Sequence, residues 1–487
     1  FENHNLGELI KSMEEFKVKK VCCIGAGYVG GPTMSVFANK CPNIKFNVVD
    51  INSERIKAWN NPNLSKLPIY EPGLDKLVRN CRNKNLFFSG EISKSISEAD
   101  MIFLSVNTPT KKKGVGAGKA SDLKWIEASA RQIAEYAQGH TIVVEKSTLP
   151  VKTAETIKKI LDSSHIQVDN QKKLKTFSVL SNPEFLSEGN AIKDLENPDR
   201  VLIGGEDENA IKQLSFLYQR WIPENKIFIT NLWSSELSKL TANAFLAQRI
   251  SSINAISSLC EPTGADITEV SKAIGADSRI GEKFLNAGPG FGGSCFQKDV
   301  LNMIYLCRYY GLAEVADYWE QVILLNEWQK KRISKLIIET FFGTVSSKKL
   351  TLLGFAFKSN TNDTRESPAI TIAKDLLENG ADLCIHDPQV SESQISKILD
   401  IDNSNKTKKS IEGSWSYSNN LELAFTDADA IIILTEWEEY FKINWQTMAL
   451  LMRRPSWIFD TRGIIEYKDL KGTKLNFWKI GKGFVSI

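Results

Sequence analysis

Apolar and polar positions along the chain fall into blocks that read as strand, turn and helix. Residues 18–24 form a short apolar run, residues 25–31 a glycine-rich turn, residues 32–39 a helix, and residues 46–49 a second apolar run ending at Asp50; together they predict a βαβ unit. Residues 101–106 and 141–145 predict two more strands, with helical periodicity over 122–137 between them, so the region reads as a parallel, doubly wound sheet. The same grammar returns near the C-terminus: a strand over 350–353, a helix over 368–378, and a strand over 382–386 ending at Asp387. The lead-in Glu98-Ala99-Asp100-Met101-Ile102 is echoed by Asp427-Ala428-Asp429-Ala430-Ile431. Two Rossmann-like domains are predicted.

Between them, residues 234–260 and 315–342 contain neither proline nor glycine and keep helical patterning, with Leu237, Leu240, Ala244 and Ala247 on one side. Two long helices bridging the halves follow. The predicted class is α/β: two doubly wound parallel sheets joined by a central helical region, divided as an extension over 1–17, a dinucleotide-binding domain over 18–230, a central helical domain over 231–342 and a second Rossmann-like domain over 343–487. The stretches 163–175 and 402–418, rich in Asn, Lys and Ser, read as solvated surface insertions.

Composition narrows the function classes. Against 61 basic residues stand 58 acidic ones, so this 487-residue chain is nearly neutral at +3, which gives no electrostatic footprint for nucleic acid. Its apolar runs are far shorter than the roughly 20 residues a membrane-spanning helix needs, and no membrane partner is expected. The eight cysteines are scattered, none in C-x-x-C spacing, with only four histidines beside them, so no metal site is expected. Several sit in apolar stretches, which reads as reduced thiols in a cytoplasmic protein. Residues 1–17 lack the apolar core of a secretion signal and, starting at Phe1, read as a trimmed N-terminus.

Chemistry concentrates in a few segments. Gly25-Ala26-Gly27-Tyr28-Val29-Gly30 follows a strand and opens a helix, and Asp50 stands 20 residues past Gly30 at the end of the next strand. Glycines let a pyrophosphate approach the positive end of the helix, while a carboxylate at Asp50 accepts the ribose hydroxyls and repels a 2′-phosphate, which favours NAD over NADP. In Gly288-Pro289-Gly290-Phe291-Gly292-Gly293-Ser294-Cys295-Phe296-Gln297-Lys298-Asp299 a glycine-rich loop delivers a cysteine to a predicted helix start. The helix dipole and Lys298 favour the thiolate needed to attack a carbonyl, and Asp299 shares the helix face of Cys295. A structural thiol beside a flexible loop is the plainer alternative. Lys239 and Asn243, spaced i, i+4, offer a charge and an amide donor suited to an oxyanion, although the pair alone is unspecific. Glu184 and Glu188, four apart after a predicted strand at 177–180, suit a general base or water positioning as well as an ordinary solvated helix start. The second Rossmann-like turn has Gly354-Phe355-Ala356-Phe357-Lys358 followed by Asp363-Thr364-Arg365, with cations where the first turn has glycines.

Together with Ser105-Val106-Asn107-Thr108-Pro109-Thr110, Glu145-Lys146-Ser147-Thr148, Ser235-Glu236-Leu237-Ser238-Lys239-Leu240, Phe245-Leu246-Ala247-Gln248-Arg249-Ile250 and Asp363-Thr364-Arg365-Glu366-Ser367, these segments resemble the UDP-glucose 6-dehydrogenase family of nucleotide-sugar dehydrogenases over roughly residues 18–487, nearest its eukaryotic members. The resemblance implies NAD-dependent, four-electron oxidation of UDP-glucose to UDP-glucuronate through a Cys295 thiohemiacetal and thioester. It implies catalytic roles for Cys295, Lys239, Asn243, Asp299, Glu184 and Thr148. Cofactor contacts carry over to Gly25, Ala26, Gly27, Tyr28, Val29, Gly30, Asp50, Arg55, Val106, Asn107, Thr108, Pro109, Thr110, Ser147, Thr148, Glu188, Lys298 and Arg365. Substrate contacts carry over to Glu184, Phe185, Leu186, Ser187, Glu188, Lys239, Asn243, Arg279, Phe284, Asn286, Ala287, Gly288, Pro289, Gly290, Phe291, Gly292, Lys358 and Arg462. Asn286 stands where relatives usually carry lysine. The resemblance further implies a homo-oligomer built on dimers, commonly a hexamer, with Arg279 reaching a neighbouring subunit's sugar nucleotide.

Three rivals stand beside this reading. A dehydrogenase of GDP-mannose or a UDP-N-acetyl-hexosamine would share the cysteine and lysine chemistry. A two-electron hydroxyacid dehydrogenase would use Lys239 and Asn243 but not Cys295. A non-enzymatic NAD-binding scaffold would tolerate loss of the nucleophile or the lysine, and both are retained. Which group takes the first proton is left open by the sequence.

Overall fold

A computed structural model describes residues 17–147, 152–163, 175–399 and 413–485. The chain divides into two compact units, Phe1–Ala242 and Asn243–Ile487.

The first unit is built on eight strands: β1 (Lys20–Ile24), β2 (Lys45–Val49), β3 (Leu86–Ser89), β4 (Met101–Leu104), β5 (His140–Glu145), β6 (Thr176–Ser181), β7 (Val201–Gly204) and β8 (Ile227–Thr230). Their order is β3-β2-β1-β4-β5-β6-β7-β8. β1 to β6 run parallel and β7 meets β6 antiparallel. The first six strands thus have the dinucleotide-binding order with its switch point between β1 and β4. Helices cover both faces, so the central strands are apolar on both sides rather than alternating. The adjacent thiols show it: Cys23 packs into one core layer with Val21 and Phe103, and Cys22 into the other with Ile24 and Leu104.

The second unit repeats the plan with β9 (Lys349–Leu353), β10 (Asp382–His386), β11 (Ser414–Tyr417), β12 (Ala430–Ile433), β13 (Trp457–Asp460), β14 (Asn476–Lys479) and β15 (Gly483–Val485), ordered β11-β10-β9-β12-β13-β14-β15. Only the last pair is antiparallel. The echoed lead-ins have a common structural job. Asp100 accepts from the Lys19 and Lys20 N–H groups at 2.8 and 2.9 Å, and Asp429 accepts from Lys349 N–H at 2.9 Å, so each carboxylate ties down the start of its sheet's central strand.

The long helices span Leu232–Thr263 and Ala313–Thr340, each overrunning its expected start by two residues. Two expectations need correction. The strand expected over 101–106 stops at Leu104, because the Ser105 N–H closes the pairing on Ile24 O and the chain then leaves the sheet. The insertion expected over 402–418 is not all solvated loop: Ser414–Tyr417 is the edge strand β11, whose Trp415 and Tyr417 pack on the second core while serines alternate outward. The rest of that stretch, residues 402–412, lies outside the described residues, as do 164–174 of the other insertion and residues 1–16.

Candidate active site

The cofactor turn follows β1. Gly25 has φ +110°, and a Cβ there would stand 2.4 Å from Ser105 O; at Gly30 it would stand 2.0 Å from Gly25 O. These two glycines are therefore required by the turn itself. Gly27 differs, since a Cβ there meets nothing within 4 Å. The helix Gly30–Lys40 that follows has Val29 at its N-cap and no side-chain cap. Asp50 is buried; it accepts from Ala26 N–H at 2.9 Å, Asn52 N–H at 2.9 Å and the Arg55 guanidinium at 3.0 Å. Trp59 donates its indole N–H to Ala26 O at 2.9 Å and buttresses Gly31. An uncapped helix start behind open space at Gly27, with a buried carboxylate at the tip of β2, fits the pyrophosphate and ribose of NAD. Arg55 is tied to Asp50, and Tyr28 packs on the first core.

Beyond β4 the segment from Val106 to Thr110 is held by its backbone. Ser147 Oγ donates to Val106 O at 2.8 Å, Asp122 N–H to Pro109 O at 2.7 Å, and Thr110 bridges Ser121. Thr108 is buried and Asn107 exposed. Thr148 lies outside the described residues.

Glu184 sits in a segment without regular structure, not at a helix start: the helix there is Ala191–Glu196, and Pro183 keeps the residue before it out of helical geometry. The Glu184 carboxylate is buried, 3.2 Å from Lys239 Nζ, and accepts from Leu186 N–H at 2.7 Å. Burial alone would raise its pKa, but the Lys239 charge, the Leu186 N–H and the Lys146 charge outweigh it and hold the carboxyl below its ordinary value. Phe185 carries cations on its ring, Arg200 at 3.8 Å and Lys239 at 5.4 Å. Ser187 N–H is held by Asp194 at 2.9 Å, and Leu186 and Glu188 are half-buried.

In the second unit Cys295 is the N-cap of the helix Phe296–Tyr309 and is half-buried, with Ser294 Oγ 3.4 Å from its sulfur. Burial pushes the other seven thiols up, Cys23 and Cys41 to about 12. Asp299, one turn into the same helix, is buried and accepts from Asn243 Nδ2 at 2.6 Å; Lys298 Nζ lies 3.7 Å from it. The loop preceding Cys295 is clamped by buried amides. Asn326 bonds both N–H and O of Phe291 at 2.8 and 3.1 Å, Asn254 accepts from Gly288 N–H at 2.8 Å, and Gln329 donates to Gly288 O at 2.8 Å. Gly290 has φ +125°, and a Cβ at Gly292 would stand 2.6 Å from Glu366 O. Pro289 is buried and Ala287 half-buried.

Arg462 packs beside Gly288 and donates to Leu434 O at 2.8 Å and Phe357 O at 3.1 Å. Lys358 lies over the Phe357 ring. Arg365 forks onto Asp363, and Arg279 onto Asp277. Phe284 holds φ +62° with its ring edge-on to Phe296, and Asn286 is exposed.

Sequence reasoning missed Trp59, Asn254, Asn326 and Gln329, none of which carries a motif. The one legible signal was polar residues on an apolar stripe: Asn326 and Gln329 share the buried face of their helix with Val322 and Ile333.

Residues 19–222 match the NAD binding domain of the UDP-glucose/GDP-mannose dehydrogenase family, residues 233–328 its central domain and residues 351–467 its UDP binding domain. UDP-glucose 6-dehydrogenase 4 of Arabidopsis thaliana is 53% identical over 479 residues, covering 95% of this chain and 97% of its own. The Bos taurus UDP-glucose 6-dehydrogenase is 52% identical over 474 residues, covering 96% and 94%. Among solved structures, a UDP-glucose dehydrogenase from Pyrobaculum islandicum superposes with a TM-score of 0.80 at 28% identity, covering 96% of this chain and 98% of that one. Matched in all three domains and by relatives along nearly its whole length, the chain belongs to the UDP-glucose/GDP-mannose dehydrogenase family and uses NAD.

Proposed function

We propose that the chain oxidises UDP-glucose to UDP-glucuronate through a covalent thioester on Cys295, consuming one water and two NAD⁺ and releasing two NADH and the accompanying protons. The observation that carries the reading is that one chain holds both a glycine turn with Asp50 and a helix-capping thiol, Cys295, on a clamped glycine loop. A two-electron dehydrogenase needs the first and has no use for the second. The relatives at 52–53% identity are named for UDP-glucose, which favours that sugar over GDP-mannose or a UDP-N-acetyl-hexosamine.

NAD, when bound, supplies the acceptor for both hydrides. The Cys295 thiolate adds to the C6 aldehyde left by the first oxidation, forming a C–S bond and an oxyanion that Lys239 and the Asn243 amide stabilise. The second oxidation converts this thiohemiacetal to a thioester. Glu184, held ionised, takes a proton from the attacking water, and Asp299 orients Asn243. The C–S bond then breaks and Cys295 leaves as thiolate. Thr148 and Lys298 complete the water and cofactor contacts, and Lys358, Arg462 and the loop from Ala287 to Gly292 take the substrate diphosphate. With Asn286 in place of lysine, Lys358 and Arg462 carry more of that charge.

The four-part division at 17, 230 and 342 belongs to this reading, as do a cytoplasmic setting and a homo-oligomer built on dimers, commonly a hexamer. No described helix is long and apolar enough to cross a membrane. Phe245, Ile256 and Leu259 on one long helix, with Tyr318 and Leu324 on the other, are exposed apolar side chains that a second copy would cover. Arg279, exposed on the surface, would then reach the partner's substrate. The test is to supply UDP-glucose and NAD and count NADH per sugar consumed: two are expected, one returns the hydroxyacid reading, and none returns the scaffold.

A further inference from the structure

We propose that Lys146, which has no part in the chemistry above, is a positioning residue for thioester hydrolysis: it clamps the foot of the segment carrying Glu184 and sets a second buried positive charge acting on the Glu184–Lys239 pair. The inference rests on the roles given above to Glu184 and Lys239.

Lys146 follows β5 directly and is buried. Its Nζ donates to Asn182 Oδ1 at 3.0 Å and to the Tyr218 hydroxyl at 3.0 Å, and the Tyr218 hydroxyl donates to Asn182 Oδ1 at 2.7 Å. Asn182 is pinned on its other sides as well: its N–H reaches Glu145 O at 2.8 Å and its Nδ2 reaches Leu202 O at 2.8 Å. It stands two residues before Glu184, with Pro183 between, so fixing the Asn182 side chain fixes where the Glu184 carboxylate is presented. A buried lysine used only for packing would be replaced by an apolar residue at no cost in desolvation.

The charge matters besides the clamp. The charged or titratable groups facing Lys146 are Glu184, Lys239 from the long helix, Cys23 from β1, and Tyr218. Burial, opposed by Glu184 and reinforced by repulsion from Lys239, brings the lysine down to about 8. The ammonium therefore persists at neutral pH and offsets burial of the Glu184 carboxylate. Remove it and Glu184 keeps its proton to higher pH.

The experiment compares Lys146→Met, Lys146→Arg and the parent enzyme across pH, with NADH counted per UDP-glucose in each. For Lys146→Met, kcat should fall about 10- to 100-fold, as for a misplaced catalytic group, with the NAD KM nearly unchanged. The acid limb of its kcat profile should move to higher pH, while Lys146→Arg, which keeps the charge, should leave that limb in place. A loss that is uniform across pH, or an unchanged kcat, overturns the assignment while the two-NADH reading of the parent stands. A parent enzyme that fails to yield two NADH removes the hydrolysis step and the inference with it. If Lys146→Met does not fold, Tyr218→Phe decides: removing one lysine acceptor should lower kcat at unchanged NAD KM, and an unaffected kcat overturns the clamp.

Discussion

The two Rossmann-like units share a strand order and solve their first βα turn in opposite ways. In each, a left-handed glycine follows the central strand, Gly25 at φ +110° and Gly354 at φ +97°, and in each an added Cβ would collide, with Ser105 O or with Thr435. In each, an aspartate at the tip of the next strand accepts from the turn: Asp50 from Ala26, Asp387 from Phe355 and Ala356. From there they diverge. The first unit goes straight into a helix with no side-chain cap, leaving its N–H groups to a ligand. The second inserts the loop carrying Lys358 and Arg365, and its helix Pro368–Glu378 is capped by its own Ser367. Asp387 is spoken for as well, accepting from Gln389, Val390 and the Trp437 indole. One turn leaves its helix N–H groups without a side-chain cap; the other caps its helix with its own serine and carries side-chain cations on its loop.

The sharpest break comes from Cys295. Cys295→Ser should lower turnover about 10³-fold or more while UDP-glucose binding survives, because an ester leaves far less readily than a thioester. In the parent protein, alkylation should strike Cys295 before the seven thiols that burial pushes up, and UDP-glucose should protect it. Cys295→Ala making product at near-normal rate would end the covalent mechanism.

Next, Asp50→Asn and Asp387→Asn test the divergence directly. Asp50→Asn should raise the NAD KM about tenfold or more, as expected for a lost charge-assisted hydrogen bond to ribose. Asp387→Asn should leave the NAD KM alone and cost about 1–3 kcal/mol of stability, read by denaturant titration, since its donors are internal. Equal effects on NAD would erase the distinction. Lys358→Ala should raise the UDP-glucose KM about tenfold with little change for NAD, as for one phosphate contact; a matched rise in both would move Lys358 out of the substrate site.

The smallest effect concerns a carboxyl pair behind the first site. Burial pushes Glu145 up, reinforced by the Glu236 charge, and pushes Glu236 up to about 7. Raised carboxyls favour the folded state when protonated, so this contribution is full below the ordinary value of 4.5 and is lost as pH rises through about 7. The melting temperature should drop by about 2–4 °C between pH 6 and 8, and Glu145→Gln should flatten that slope.

Strands β1, β2, β4, β5, β6, β9, β10 and β12, the grammar that repeats between the two sheets and the cofactor turn were legible because they depend on local periodicity and on backbone conformations that few residues allow; β3, β7, β8, β13, β14 and β15, of three to four residues each, carry too short a pattern to read. Asp50 and Cys295 were legible for the same reason: each stands at a fixed offset from a glycine turn or a helix start. The Ser414–Tyr417 strand was not, since four residues with alternating serines carry too weak a pattern beside a polar stretch. Nor was the state of Glu184. Its spacing from Glu188 suits a general base and a solvated helix start equally, whereas burial against Lys239 and Lys146, 55 residues later and 38 earlier, decides that it stays ionised. The sequence by itself determined which chemical groups are present and which turns present them, because those follow from adjacent residues. Only the tertiary structure decided which buried amides clamp the cysteine loop and which cations act on the buried carboxylate, because desolvation and charge coupling depend on distance in space, and distance along the chain carries no record of it.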